Sequence, residues 1–521
     1  MIKTDQIVPI AELLKRQAQN LPDKTAYSDD RRSITFAELD RATRNLATHF
    51  RANGLEDGGS VAIWLPNGVE WVIACLAAVR ARGIAVPVSH VSTDDEARYR
   101  LDDAQCVIAL ATPEHAGALS QMAQQFPALR TQIIVGGTAD DGLVFEALCE
   151  MPAPGIVLAP DDIDGCSYIV YTSGTTGRPK GVMLSSRAML WATAACWAPI
   201  LGYGEHDRVL SPLPMFHVFS LTIAVLSPLA TGASAHVMDR FSVHRTIELL
   251  KSGQFTLLPA VPTMFHYLLL EAGKYGPDLF KTLRLCTSAG AIMPAALSQD
   301  FEDTFGIQMI DGYGITEMST MVTMNWPGPY RTPGSCGLPV PGLAVRIIDP
   351  ATGLDVEFGD EGELICRGPS LMLGYNRKPE ETTNVLRDGW YHSGDLARSD
   401  KHGFLTITGR LKEIIIRGGQ NIAPAEVEEA IIDMEAVLDC AVVGVPHDTL
   451  GEVACAFVVP HPGRQIDAQA VRDSCATRLS SYKVPEIVRV IDQIPRTGSG
   501  KIMRFKLREL IENSDAPWKD R

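Results

Sequence analysis

Between Gly165 and Asp311 short apolar runs alternate with amphipathic stretches: "RVLSP", "FSLTIAVLSPLA", "SAHVM", "VHRTIELLKS" and "FTLLPAV" follow one another in that order. Strand and helix in alternation over such a length predict a parallel sheet covered on both faces, an α/β fold of the doubly wound type. The amino-terminal part has the same character, with helical "AELDRATRNLATHFRANG" leading into the strand "SVAIWLP". The opening "MIKTDQIVPIAELLKRQAQNLP" interrupts every apolar run with charge and predicts an amphipathic helix, not a signal peptide.

From Gly334 to Gly409 the pattern changes. "LAVRIID", "GELICRG" and "GFLTITG" are strands separated by Gly, Pro and Asp-Gly turns, which predicts a small β-barrel-like subdomain over about 331–409. Beyond Arg410 a compact mixed segment follows, with strands "EIIIRG", "LDCAVVGVP" and "ACAFVVP" and helices near Ala425 to Ile432 and Ala468 to Leu479. The expected division is a large domain over 1–409 and a small α+β domain over 410–521. One stretch, Val209 to Met238, lacks Asp, Glu, Lys and Arg and is long enough to cross a bilayer. Pro212, Pro214, Pro228, Gly232 and two histidines interrupt it, so it is expected to be interior.

At 521 residues the chain exceeds what one hydrophobic core serves, in keeping with at least two domains. Its net charge of -15 argues against nucleic acid or an anionic membrane as partner, so any phosphate must be met locally. Eleven cysteines without a CxxC or paired spacing suggest neither a disulfide framework nor a zinc site, and point to reduced thiols in the cytoplasm.

The segment "YTSGTTGRPKG" (Tyr171 to Gly181) offers almost no side chain for burial. It follows the continuous apolar run "CSYIVY" and precedes "SSRAMLWATAACW", where Ser185 or Ser186 is suited to cap a helix. A strand, a small-residue loop and a helix form a geometry that wraps backbone N–H groups around phosphate oxygens. Lys180 then supplies charge, and a solvated flexible loop is the alternative reading. The segment is not a Walker loop, because Pro179 precedes the lysine and Gly181 follows it.

Further fragments stand at matching positions: "DGYGITE" (Asp311 to Glu317), "WYHSGDL" (Trp390 to Leu396), "GRLKEIIIRGGQNIAPAEVE" (Gly409 to Glu428) and "PRTGSGKIMRFKLRE" (Pro495 to Glu509). In this order, with the glycine loop, they resemble the adenylate-forming superfamily, most closely its fatty-acyl and aryl-acid CoA ligases. The resemblance implies ATP-driven adenylation of a carboxylic acid, followed by thioester formation with CoA or with the phosphopantetheine of a carrier protein. It implies that the glycine loop, with Thr172, Ser173, Gly174, Thr175, Thr176, Gly177 and Lys180, cradles the departing pyrophosphate, that Tyr313, beside Gly314, stacks on adenine, that Thr316 meets the α-phosphate, and that Glu317 holds Mg²⁺. Asp395 and Arg410 become ribose contacts, Lys412 a hinge to a mobile carboxy-terminal domain, Gly418 and Gly419 the passage for pantetheine, and Lys501 the catalytic lysine of adenylation.

"PMFHVFSLT" resembles the segment lining the acyl pocket, with Phe216 in the wall and His217 beside the carboxylate. Val261, Met264, Ser288, Ala289, Gly290, Ala291 and Met318 complete an apolar or small lining suited to an uncharged aliphatic or aromatic acid. An α-amino acid would require a carboxylate for its ammonium, and no Asp lies between Arg208 and Met238. Arg496, Lys501, Arg504, Lys506 and Arg508 are candidates for CoA phosphates or an acidic carrier. Alternatives are a nucleotide sensor without catalysis, and the same activation directed to another oxyanion or an amine. Two departures stand out: Ser185, Ser186 and Arg187 replace the usual Thr-His or Ser-His pair, and Ser242 replaces a common Asp as a helix cap.

Overall fold

The computed structural model describes all residues except 139–142, 173–177, 419, 448, 498–499 and 513–521. Two compact units are present. The first comprises residues 1–333, 337–345 and 366–391, and the second residues 334–336, 346–365 and 392–521. The β-rich stretch expected over 331–409 thus contributes residues to both units.

Two sheets organise the first unit. The nine-stranded sheet contains the parallel strands Ser234–Val237, Arg208–Ser211, Leu257–Ala260, Leu285–Ser288 and Met309–Ile315 in spatial succession. They read as unbroken apolar runs because both faces are covered: Leu210, Leu258, Ala260 and Cys286 are wholly buried. Helices Val243–Lys251, Pro262–Ala272 and Ala295–Phe305 connect them, and Phe265, Phe280, Phe301 and Phe305 fill the core beneath. The second sheet, of eight strands, sets Ser60–Trp64, Ile84–Pro87, Cys106–Ala111 and Cys166–Thr172 parallel to one another. The uncharged stretch Val209 to Met238 is interior, as a strand, short helical segments over 218–231, and the strand Ser234–Val237. Among the described residues no helix is long and apolar enough to cross a membrane.

One expectation is corrected. The glycine loop does not lead into a helix. Lys180–Ser185 returns as a strand antiparallel to Cys166–Thr172, with Thr172 opposite Lys180, and the helix Ser186–Ala192 starts only after it. In the run "GVML" Gly181, Val182 and Leu184 are buried in the sheet, and that burial outweighs the helical pattern further on. The glycine segment is therefore flanked by two antiparallel strands, not by a helix N-terminus. Ser185 is the cap, accepting from the Ala188 N–H at 3.1 Å, and Ser242 caps the helix at Val243 in the same way.

The second unit is an α+β assembly. Val437–His447 and Gly451–Pro460 pair antiparallel, and Ile487–Val490 runs parallel to the latter. Helices Pro424–Ile432 and Ala468–Arg478 cover one face through Val427, Ile431, Val471 and Cys475, while Leu507 of Arg504–Glu512 packs on the other.

Candidate active site

Parallel strands in register deliver their carboxyl ends to one edge, the usual place for ligands in such sheets. Here Ala260 pairs with Ser288 and Ser288 with Asp311, so Val261 and Ala289 leave the sheet side by side, next to Gly312 where the parallel pairing ends. A Cβ on Gly290, whose φ is +90°, would lie 3.6 Å from Val261 Cγ1. Arg208–Ser211, next in the sheet, ends at the segment carrying Phe216 and His217, both half-buried. Val261, Ser288, Ala289 and Met318 are buried, Met264 is half-buried, and Ala291 is exposed. At this edge Ser211 and Ser288 end their strands and Asp311 ends the parallel pairing of Met309–Ile315, and each of the three side chains holds a buried oxygen without a hydrogen-bond partner among the described residues. Burial also pushes the Asp311 carboxyl well above the usual carboxylate range. Native interiors leave few such atoms unsatisfied.

Tyr313 and Gly314 lie in Met309–Ile315, which turns back as Thr320–Met324. Only glycine fits at 314, since a Cβ there would stand 2.1 Å from the Thr320 carbonyl oxygen. Thr316, Glu317 and Met318 form the turn between the strands, followed by Ser319 and Thr320 at φ of +53° and +119°. Positive φ at a β-branched residue is strained backbone, of the kind that collects at functional sites.

Glu317 is tied to the glycine hairpin by a residue that no motif singled out. Gly374–Tyr375 pairs antiparallel with Lys180–Ser185, Tyr375 opposite Val182. The Tyr375 hydroxyl donates to Glu317 Oε1 at 2.8 Å, and Lys180 Nζ stands 5.0 Å from the centre of the Tyr375 ring. Lys180 also forms an ion pair with Glu381, which in turn bonds Lys378 at 3.2 Å. Burial first and then the Glu317 charge hold the Tyr375 phenol protonated far above its ordinary range. Glu317 Oε2 has no protein partner among the described residues, so one carboxylate oxygen is oriented and the other is open to a hard cation. The cradle residues Ser173, Gly174, Thr175, Thr176 and Gly177 lie outside the described residues, as does Gly419. The base of the loop is held by Tyr99, which donates to the Pro179 carbonyl at 2.8 Å, and by Asn376, whose N–H donates to the Gly181 carbonyl at 2.7 Å.

A second unheralded residue, Asn67, holds the pocket segment. Its side-chain amide donates to the Leu213 and Met238 carbonyls, each at 3.0 Å, while its oxygen accepts from the Met215 N–H at 2.8 Å. Partners 146 to 171 positions away leave no periodic trace around "PNG".

In the second unit Asp395 is 2% exposed and pairs with Arg410 at 2.6 Å across the strands Trp390–Ser399 and Leu405–Arg410. Lys412 lies exposed in the single turn Leu411–Glu413. Gly418 has φ +57° and donates to the Leu450 carbonyl at 2.7 Å. Lys501 sits in a tight turn closed by the Thr497 N–H to the Lys501 carbonyl at 2.8 Å and by an Arg496–Ile502 bridge. The expectation that Arg496 and Arg504 are available to phosphates or an acidic carrier is corrected. Arg496 pairs with Asp439 at 2.8 Å, and Arg504 with Glu413 at 2.9 Å and Glu428 at 2.5 Å.

A family model described as AMP-binding enzyme matches residues 14–376, and one described as AMP-binding enzyme C-terminal domain matches residues 426–501. The chain belongs to this family of adenylate-forming enzymes. A methyl-dioxo-octahydroindenyl-propanoyl:CoA ligase of Mycobacterium tuberculosis is 36% identical over 98% of this chain and 100% of its own. A long-chain-fatty-acid–CoA ligase of Bacillus subtilis is 32% identical over 96% of this chain and 94% of its own. Among solved structures, an anthranilate CoA ligase in complex with anthranoyl-AMP superposes with a TM-score of 0.91 at 26% identity, covering 98% of this chain and 99% of that one. Within the family the chain is an AMP-forming acyl-CoA synthetase, an ATP-dependent acid–CoA ligase.

Proposed function

We propose that the acid is apolar, fatty or aryl, and that the carboxyl edge of the nine-stranded sheet binds it together with ATP. The observation carrying this reading is the cluster of Ser211, Ser288 and Asp311 at this edge, whose buried oxygens lack partners among the described residues and suit a polar ligand head. Beside them Val261, Met264, Ala289, Gly290 and Met318 offer only apolar or small surface. The relatives named for fatty, anthranilic and ring-bearing propanoic acids support an uncharged tail.

In the first step a carboxylate oxygen bonds the α-phosphorus of ATP, the bond to the β-bridging oxygen breaks, and pyrophosphate leaves with the electron pair. In the second, the CoA sulfur bonds the acyl carbon, AMP leaves with the pair, and the thiol proton passes to solvent. Both steps move negative charge among oxygens, so catalysis is positioning and preorganised positive charge. Lys180 and the residues of its hairpin meet the pyrophosphate, Thr316 the α-phosphate, Tyr313 the adenine, and His217 the acid. Asp395 and Arg410 take the ribose. Lys501 bridges acid and phosphate in adenylation, and Gly418 admits the pantetheine arm in thiolation, with Lys412 as the hinge between a domain over 1–409 and one over 410–521. Glu317, with one oxygen fixed by Tyr375 and one open, fits a magnesium ion, which needs few protein carboxylates when phosphates supply the rest. Bound there, that ion offsets phosphate charge. The free thiols fit a cytoplasmic setting.

Pyrophosphate release across fatty, benzoic, cinnamic and α-amino acids, with and without CoA, tests the reading. Release with an apolar acid and conversion to its CoA thioester is the expected outcome. Turnover confined to charged or amino acids would overturn it.

A further inference from the structure

The eight-stranded sheet has a topological switch point of its own. Ser60–Trp64 lies between Ile84–Pro87 and Cys106–Ala111, all parallel. The chain leaves Ser60–Trp64 toward Ile84–Pro87 on one side and leaves Cys106–Ala111 toward Thr131–Ile134 on the other, so the connections diverge between the two strands. Ligands of open α/β sheets bind at such a point, beyond the carboxyl ends. At this one stand His90, three residues past Pro87, and Thr112, Glu114 and His115, just past Ala111.

His90 Nε2 lies 2.5 Å from Glu114 Oε1 and 3.5 Å from Thr112 Oγ1. His115 Nε2 lies 3.8 Å from the same Glu114 oxygen and 3.2 Å from the His90 carbonyl oxygen. The three ligand atoms are all within 4.8 Å of one another. The wholly buried Trp64 fixes the His115 ring by stacking on it, with centroids 3.9 Å apart and planes 13° from parallel. Thr112 holds the cap position of helix Pro113–Gln125 yet makes no capping bond, and its hydroxyl is turned to Glu114 at 3.2 Å.

We propose that His90, Glu114 and His115 bind a divalent transition-metal ion, zinc by the chemistry of the donors. Two imidazoles and one carboxylate are zinc ligands, whereas magnesium prefers an all-oxygen shell. Tetrahedral zinc at its usual ligand distances holds donors about 3.4 Å apart, between the separations from Glu114 Oε1 to the two imidazoles, 2.5 Å and 3.8 Å. Glu114 is 59% exposed on its side chain and free to swing, so closure asks little of the buried elements. On binding, each neutral imidazole presents the Nε2 lone pair and keeps its proton on Nδ1, which replaces the His115 bond to the His90 carbonyl. Thr112 Oγ1, the His90 carbonyl or water supplies the remaining position. The site lies on a different sheet from Glu317 and is independent of the acid and nucleotide assignments above.

The test is zinc retention by the full chain after chelator treatment, with excess Mg²⁺ present to occupy oxygen sites. Metal analysis after gel filtration gives stoichiometry, and competition against a chromophoric chelator gives affinity. One equivalent is expected for the wild type, lost in His90→Asn and weakened at least about tenfold in Glu114→Gln. Cobalt in place of zinc should give the visible absorption of a tetrahedral nitrogen–oxygen site. His115→Asn also removes the Trp64 stack, so His90→Asn and Glu114→Gln, which leave that stack in place, are the deciding variants. Equal zinc content in wild type and His90→Asn, or none in the wild type, would overturn the proposal.

Discussion

The Tyr375 hydroxyl donates a 2.8 Å hydrogen bond to Glu317 Oε1, joining residues 58 positions apart. The same ring carries Lys180 on its face, so one phenol touches both the carboxylate proposed for the metal ion and the lysine proposed for phosphate. Tyr375→Phe keeps the ring and removes the bond. A hydrogen bond to a charged group contributes about 1.5–3 kcal/mol, so kcat/KM for pyrophosphate release should fall roughly tenfold or more. The Mg²⁺ concentration for half-maximal rate should rise as well. An unchanged Mg²⁺ dependence would separate Glu317 from the metal.

Lys180 is shared with Glu381, a partly exposed carboxylate. Glu381→Gln should free the lysine for phosphate and lower the apparent KM for ATP about twofold to fivefold, the size of a surface ion pair. Initial-rate measurements over a range of ATP concentrations check this, and a rise in KM would mean that Glu381 positions the lysine productively.

Lys501→Ala should slow adenylation by on the order of 10² or more, as for loss of one preorganised donor, and leave thioester formation from supplied acyl-AMP intact. Lys412→Pro should act the other way round, sparing adenylation and impairing thiolation, because proline stiffens the proposed hinge and disfavours the helical backbone of Leu411 before it. Rapid-quench assays of the separate half-reactions decide both. Equal loss in the two would remove the assignment of Lys501 to one step.

His236, buried with Nδ1 3.0 Å from Ser28 Oγ, has its pKa lowered by burial, which the Asp30 carboxylate only partly opposes. The unfolded chain therefore binds a proton at this side chain that the folded chain refuses. Stability from this group is complete above the ordinary histidine value of 6.5 and is lost as the pH falls through that value toward the lowered one. Denaturant melts at pH 7.5 and 5.5 should show a drop in the wild type that His236→Gln reduces.

Much of the fold was legible because burial writes directly into local pattern. The continuous runs at Leu257–Ala260 and Leu285–Ser288 mark strands covered on both faces, and the serines at 185 and 242 mark helix starts. The return strand Lys180–Ser185 was not, since its apolar run is short and its pairing with Cys166–Thr172 depends on a loop conformation that local propensity does not carry. For the site, chemistry-bearing residue types were visible and their partners were not. Asn67 to Met238, Tyr375 to Glu317 and Arg496 to Asp439 are contacts between distant segments, which only the folded topology brings together. The same holds for Arg496 and Arg504: their charge is plain in sequence, and its pairing with Asp439, Glu413 and Glu428 is not.

Arg504 gives the second unit a mechanical property. It grips Glu413, the neighbour of Lys412, and Glu428 at once, and it opens the last helix three residues after Lys501. The turn at 411–413 and the base of the lysine loop are thus clasped by one guanidinium. With Lys412 as the proposed hinge, rotation there would carry Lys501 as the end of a stiff lever, its position set by the angle at the pivot rather than by the wandering of a loop.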